Sequence, residues 1–117
     1  MARVLLIDDD PDQVEIRQLI LEAVGHEVST ATDNEGALVA FVARKPDVVV
    51  MDLRLPRAED GLELIRNLRR LSLTVRIVVV SGWPDDLRSQ PEVKLVNSFL
   101  RKPIRSQDLV DLLSEAV

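Results

Sequence analysis

Four apolar segments of this chain end in residues able to hold a cation and move a phosphoryl group. Val4-Leu5-Leu6-Ile7 runs into Asp8-Asp9-Asp10, Val48–Met51 into Asp52, and Ile77–Val80 into Ser81-Gly82, while Ser98–Leu100 leads to Lys102-Pro103. Carboxylates gathered in one place repel one another unless a cation neutralises them, and all-oxygen ligation favours Mg²⁺ or a similar hard ion. With a hydroxyl and an ammonium added, the set suits phosphoryl transfer. Metal and lysine balance the phosphoryl charge, and one carboxylate acts as nucleophile. Each end taken alone has a plainer explanation: Asp10 before Pro11 reads as a helix cap, Asp52 as a capped turn, Ser81 as turn chemistry after a strand. The agreement of four separate segment ends favours chemistry.

Those ends converge only if the segments are parallel strands of one sheet. The segments are short, β-branched and apolar at consecutive positions, as strands buried on both faces are; Val28–Ala31 makes a fifth. Helical patterns lie between them. The first opens on Asp10 and Pro11, carries Ile16, Leu19, Ile20 and Ala23 on one face, and stops at Gly25. Thr32-Asp33-Asn34-Glu35 has a capping-box pattern and leads into Ala37, Leu38 and Phe41. Leu64, Ile65, Leu68 and Leu71 mark the third helix, and Leu109, Leu112, Leu113 and Ala116 the last. Pro91 interrupts the stretch 84–95 and predicts a short or irregular fourth helix. Repeated strand–helix units predict an open α/β sandwich with helices on both faces and ligands beyond the carboxyl ends of the strands.

A length of 117 residues fits one domain, spanning 1–117. The balance of 46% hydrophobic and 30% charged residues argues against disorder. The absence of cysteine excludes disulfides and thiolate metal sites and is compatible with a reducing, cytoplasmic setting. A net charge of −5 argues against a nucleic-acid footprint on this domain. The apolar run Val4–Ile7 meets three aspartates too soon to be a signal peptide or a membrane span, so no membrane association is expected. His26, after Gly25, reads as a surface residue.

Val4–Pro11, Asp47–Pro56, Val78–Gly82 and Phe99–Pro103, in this order, resemble the receiver domains of two-component response regulators over essentially the whole chain. The resemblance implies a doubly wound, flavodoxin-like (βα)5 fold with strand order 2-1-3-4-5. It implies phosphorylation of Asp52 by a histidine kinase or a phosphotransfer protein. Mg²⁺ or Mn²⁺ would be ligated by Asp9 directly, by Asp8 through water, and by Asp52 and the backbone carbonyl of Arg54. Ser81 would hydrogen-bond the phosphoryl group, Lys102 would pair with it, and the Lys102–Pro103 peptide would be cis. Phe99 stands at the family's aromatic switch position, where the ring turns inward as Ser81 moves toward the phosphoryl group; the plainer reading is a half-buried packing residue. Self-catalysed phosphorylation and dephosphorylation, an output partner or fused effector domain lying outside this chain, and a homodimer on phosphorylation complete what the resemblance implies.

Some features depart from the family pattern. The loop Pro56–Gly61 is longer than its commonest form, so the approach to the third helix is expected to differ. The stretch from Ser81 to Lys102 is short and carries Leu95-Val96-Asn97-Ser98 in place of the usual Gly-Ala. Arg54 occupies a position where the family commonly tunes dephosphorylation. Trp83, two residues after Ser81, either covers exposed apolar surface or walls the phosphoryl group off from water. Two other functions compete. A small Mg²⁺-dependent phosphohydrolase of the haloacid-dehalogenase type is imitated by Asp8-x-Asp10, Ser81 and Lys102 but leaves Asp52 unexplained. A phosphorylation-independent, receiver-like binding module leaves the acceptor set without a use.

Overall fold

Strands with no polar face must be covered on both sides, and this requirement builds the molecule. The computed structural model describes residues 1–115. Its strands are β1 (Arg3–Ile7), β2 (Glu27–Ala31), β3 (Val48–Asp52), β4 (Arg76–Ser81) and β5 (Ser98–Arg101), all parallel, in the order β2-β1-β3-β4-β5. The helices are α1 (Pro11–Ala23), α2 (Asn34–Arg44), α3 (Ala58–Leu71), α4 (Asp85–Arg88) and α5 (Ser106–Glu115). The two-residue alternation of the strands divides the interior. Leu5, Ile7, Val49, Met51, Ile77 and Val79 join Phe41, Leu64, Ile65 and Leu68 in the α2–α3 layer. Val4, Leu6, Val48, Val50, Val78 and Val80 join Leu21, Leu109 and Leu113 in the α1–α5 layer. Full burial of such a side chain is worth roughly 1.5–3 kcal/mol, and slipping a strand by one residue would exchange the two sets, so the register is firmly fixed. In that register Ile7 lies opposite Ala31 and Met51, Asp52 opposite Val80, and Ser81 opposite Arg101. The chemistry-bearing ends therefore share one rim.

Local signals set most helix starts. Asp10 caps α1 by accepting from the Asp12 N–H at 3.0 Å, and Pro11 takes the first helical position. For α2 the cap is Asp33, which accepts from the Gly36 N–H at 2.7 Å, so the capping box expected from Thr32 and Glu35 is replaced by a start one residue later. At α3 the Asp60 carboxylate accepts from the Arg57 N–H at 3.1 Å. Gly61 then lies so close to β3 that a Cβ there would sit 1.9 Å from the Leu53 carbonyl oxygen.

The apolar face expected for α1 is corrected. Val14 and Leu21 are its buried residues, whereas Ile16 and Leu19 are 51% and 62% exposed, Ala23 is exposed and Ile20 is half-buried. The inward stripe runs Val14–Arg17–Leu21, and the arginine in its middle breaks the apolar period that would have revealed it. Leu71, at the end of α3, is likewise exposed, and Leu112 in α5 is half-buried. Ala116 lies outside the described residues. His26 is buried, not a surface residue: Gly25, at φ +97°, turns the chain back so that the His26 Nδ1 accepts from the Ala2 N–H at 3.0 Å.

The fourth helix is short, as Pro91 predicts. Four residues of α4 are followed by a 3-10 turn at Pro91–Leu95. Arginines of α3 hold this segment down. Arg66 pairs with the buried Glu92, and Arg69 bonds the carbonyls of Leu95, Ser72 and Val75 and the side-chain oxygen of Asn97.

Candidate functional site

Beyond the carboxyl ends of β1 and β3, an open cleft of about 400 Å³ is lined by Asp8, Asp9, Asp10, Gln13, Asp52, Arg54, Pro56, Trp83 and Lys102. Asp8 and Asp52 are buried and Asp9 is exposed, and one oxygen from each lies within 4.8 Å of the others. The cluster is held from several sides. Lys102 Nζ donates to Asp52 Oδ2 at 2.8 Å and lies 3.6 Å from Asp8 Oδ2. Arg17 Nη1 reaches Asp8 Oδ2 at 3.3 Å, and the Asp10 N–H donates to Asp8 Oδ1 at 3.0 Å. The Arg54 N–H donates to Asp52 Oδ1 at 3.2 Å. Arg17 escaped the sequence reading. Its signal was position alone, since α1 starts on the rim and Gln13 and Arg17 follow at helical spacing on the side facing it.

Partial burial pushes the Asp9 carboxyl above its ordinary value of 3.8, and the nearby Asp8 and Asp52 carboxylates push it further. Three carboxylates against Lys102 and Arg17 leave one formal negative charge over at the mouth of the cleft. A compact set of oxygen donors carrying surplus charge fits a hard divalent cation. The acidic group can hold a metal ion.

The other expected residues are placed as follows. Ser81 ends β4, is fully buried behind the cleft, and its Oγ accepts from the Trp83 N–H at 3.1 Å. Phe99 lies opposite Val79 on β5, half-buried against the α2–α3 core and away from the cleft wall. The Lys102–Pro103 peptide is cis, as is Leu55–Pro56 in the β3–α3 loop, which the sequence reading did not anticipate. Arg54 and Trp83 form one unit: the guanidinium carbon lies 3.7 Å from the centroid of the indole ring, which is 52% exposed. Arg54 Nε also donates to Asp86 Oδ2 of α4 at 2.8 Å. Nothing in the residue pattern points to Asp86, because its segment has no helical period.

A family model for the response regulator receiver domain matches residues 4–114. This chain belongs to the response-regulator receiver family. The receiver is 32% identical to the nitrogen assimilation regulatory protein NtrX of Azorhizobium caulinodans over 97% of its own length and 26% of that protein's. It is 30% identical to the alkaline phosphatase synthesis transcriptional regulatory protein PhoP of Bacillus subtilis, over 92% of this chain and 45% of that one. The chain thus spans between a quarter and a half of these relatives. Among solved structures it resembles the response regulator TrrA of Thermotoga maritima, determined with Mg²⁺ and BeF, at TM-score 0.87 and 25% identity, with complete coverage of both chains. The chemotaxis response regulator CheY4 of Vibrio cholerae gives TM-score 0.87 at 26% identity, covering 100% of the receiver and 99% of that chain. The five-stranded parallel sheet and its strand order are those of this family, and nothing favours the phosphohydrolase alternative. Among the described residues no helix is long and apolar enough to cross a membrane.

Proposed function

We propose that residues 1–117 act as one receiver unit in the cytoplasm, and that Asp52 accepts a phosphoryl group from a histidine kinase or phosphotransfer protein. The observation that carries this reading is the buried Asp52 carboxylate, 2.8 Å from Lys102 Nζ within a carboxylate cluster suited to a cation. Mg²⁺ or Mn²⁺ fits Asp9 and Asp52 as direct ligands, the Arg54 carbonyl as a third, and Asp8 through water. When bound, the ion supplies positive charge where the phosphoryl oxygens gather.

An oxygen of Asp52 attacks phosphorus, the bond from phosphorus to the donor imidazole or acetate breaks, and the donor group leaves. Lys102 then trades its carboxylate partners for the phosphoryl oxygens, and the Ser81 hydroxyl moves to donate to them while its oxygen still accepts from the Trp83 N–H. The space Ser81 vacates admits the Phe99 ring, which carries the change toward β5 and an output partner or effector domain, including a second copy in a dimer. Loss of the phosphoryl group is the receiver's own hydrolysis, and the Arg54–Trp83 pair beside Asp52 slows it by limiting water's approach. Incubation with acetyl phosphate and Mg²⁺ is expected to add one phosphoryl group by intact mass, and Asp52→Asn to abolish it. Undiminished labelling of the variant at another residue overturns the assignment.

A further inference from the structure

The Arg54–Trp83 pair does not hold itself in place. A cation over a half-exposed ring is a weak contact whose geometry competes with many solvated rotamers of a long side chain. The arginine is fixed from a third point. Its Nε donates to Asp86 Oδ2 at 2.8 Å, and the Asp86 side chain is only 21% exposed. The backbone of Arg54 is already anchored, because its N–H donates to Asp52 Oδ1 at 3.2 Å. Trp83 is anchored as well, through its N–H to Ser81 Oγ at 3.1 Å. With both backbones fixed, the remaining freedom belongs to the guanidinium. Asp86 removes it.

We propose that Asp86 is a positioning residue for loss of the phosphoryl group: by holding the Arg54 guanidinium flat on Trp83, it keeps a lid closed beside Asp52. This rests on Asp52 being the acceptor. Hydrolysis forms a bond from water oxygen to phosphorus and breaks the bond from phosphorus to the Asp52 oxygen. It returns the carboxylate and releases dihydrogen phosphate. Water must arrive opposite the Asp52 oxygen, and a planar stack spanning Arg54 and Trp83 on the wall of the same cleft narrows that approach. Without Asp86 the guanidinium swings into solvent, the indole loses its partner and the approach widens. Asp86 belongs to α4, so the acceptor loop and the shortened helix are joined through this one ion pair. The lifetime of the phosphoryl group thereby depends on where α4 sits.

The test uses the whole chain loaded with acetyl phosphate and Mg²⁺, then freed of donor, with phosphoryl loss followed over time. Asp86→Ala is expected to load as wild type does and to lose its phosphoryl group about fivefold faster, somewhat less than the tenfold that corresponds to about 1.4 kcal/mol. Asp86→Glu, which retains the carboxylate, restores most of the lifetime. In an Arg54→Ala background the change at Asp86 adds nothing further, because the residue acts only through the guanidinium. Trp83 fluorescence of unphosphorylated Asp86→Ala shifts toward that of Arg54→Ala, a readout that general loosening of α4 would not reproduce. Melting curves establish that the variants are folded. Failure to load at Asp52 in wild type refutes the acceptor assignment itself. Normal loading with an unchanged lifetime in Asp86→Ala, or an equal acceleration with and without Arg54, overturns the role of Asp86 alone.

Discussion

Lys102 and Arg69 each bridge separate elements of the fold, yet they meet opposite surroundings. Lys102 faces two carboxylates, Asp52 at 2.8 Å and Asp8 at 3.6 Å, on a rim open to water. Arg69 meets only neutral oxygens, with bonds of 2.6–3.3 Å to Val75, Asn97, Leu95 and Ser72. Around Lys102 the three carboxylates Asp8, Asp9 and Asp52 outnumber the two cations Lys102 and Arg17, whereas around Arg69 each oxygen has its donor. The rim therefore holds electrostatic stress that a ligand relieves, and the α3 side holds hydrogen bonds that no ligand improves. Substitutions on the rim should change binding and phosphoryl lifetime more than stability. On the α3 side the order should reverse.

The largest effect is expected from Gly61→Ala. A Cβ at this position would lie 1.9 Å from the Leu53 carbonyl oxygen and 2.8 Å from the Leu53 Cα, so α3 or the end of β3 must move. The obstacle is backbone and cannot swing aside. Overpacking of a tight contact costs about 1–3 kcal/mol, and the upper end is expected here because Leu53, Leu64 and Ile65 are fully buried nearby. Urea unfolding should show a midpoint lowered by that free energy divided by an unchanged slope. A variant as stable as wild type would mean that the close approach of α3 to β3 is not needed.

Arg69→Met comes next. The thioether keeps the apolar stem but leaves the Val75 and Leu95 carbonyls without their charged donor, and hydrogen bonds to charged groups are worth about 1.5–3 kcal/mol. A loss of roughly 2 kcal/mol is expected, a fall in Tm of about 8 °C for a chain of this size. Phosphoryl loading and lifetime should stay as in wild type at temperatures where the variant is folded. If the lifetime changed as much as the stability did, the separation of the two regions would fail.

The rim was legible in the sequence because its residues follow directly from strand ends, and parallel strands must bring those ends together. Asp8, Asp9, Asp52 and Lys102 needed no knowledge of side-chain paths. The strand order was within reach only through the resemblance to the receiver family, and the shortened α4 from Pro91 alone. The α1 face was not, because Arg17 occupies the buried stripe to reach Asp8 and leaves Ile16 and Leu19 as a false period on the outside. Arg69, in the last turn of α3, reads as an ordinary cation at a helix C-terminus. Its partners are neutral oxygens on other segments, a kind of contact that composition and spacing do not record. His26 was misjudged for a similar reason: its acceptor role depends on Ala2, just before the neighbouring strand β1 and distant in sequence. Contacts made by a side chain with partners outside its own element are what escaped.

The smallest effect on the metal-free fold, and the one whose sign matters most, belongs to Asp9→Asn. Burial and the neighbouring Asp8 and Asp52 carboxylates raise the folded-state pKa of Asp9 above the ordinary 3.8, so in the window just above that value the folded chain binds more protons than the unfolded one. Stability from this group is then greatest below pH 3.8 and is lost as pH rises through the folded value. At neutral pH the ionised Asp9 is a net burden on the metal-free fold. Replacing it by asparagine removes the burden, so without Mg²⁺ the variant should be as stable as wild type or slightly more so, by no more than about 0.5 kcal/mol. The difference should shrink as the pH is lowered toward and below 3.8, because the wild-type carboxyl becomes neutral in the folded state first and then in the unfolded state as well. With Mg²⁺ the order inverts. A cation that binds only the folded wild type stabilises it by RT ln(1 + [Mg²⁺]/Kd), about 2.7 kcal/mol at a hundredfold excess over Kd, while the variant has lost a direct ligand and gains much less. Thermal melts of both proteins, with and without Mg²⁺ at pH 7 and near pH 4, measure all of these quantities. If Asp9→Asn were clearly less stable than wild type without metal, the rim would be held together by its carboxylates, and the contrast with Arg69 would disappear.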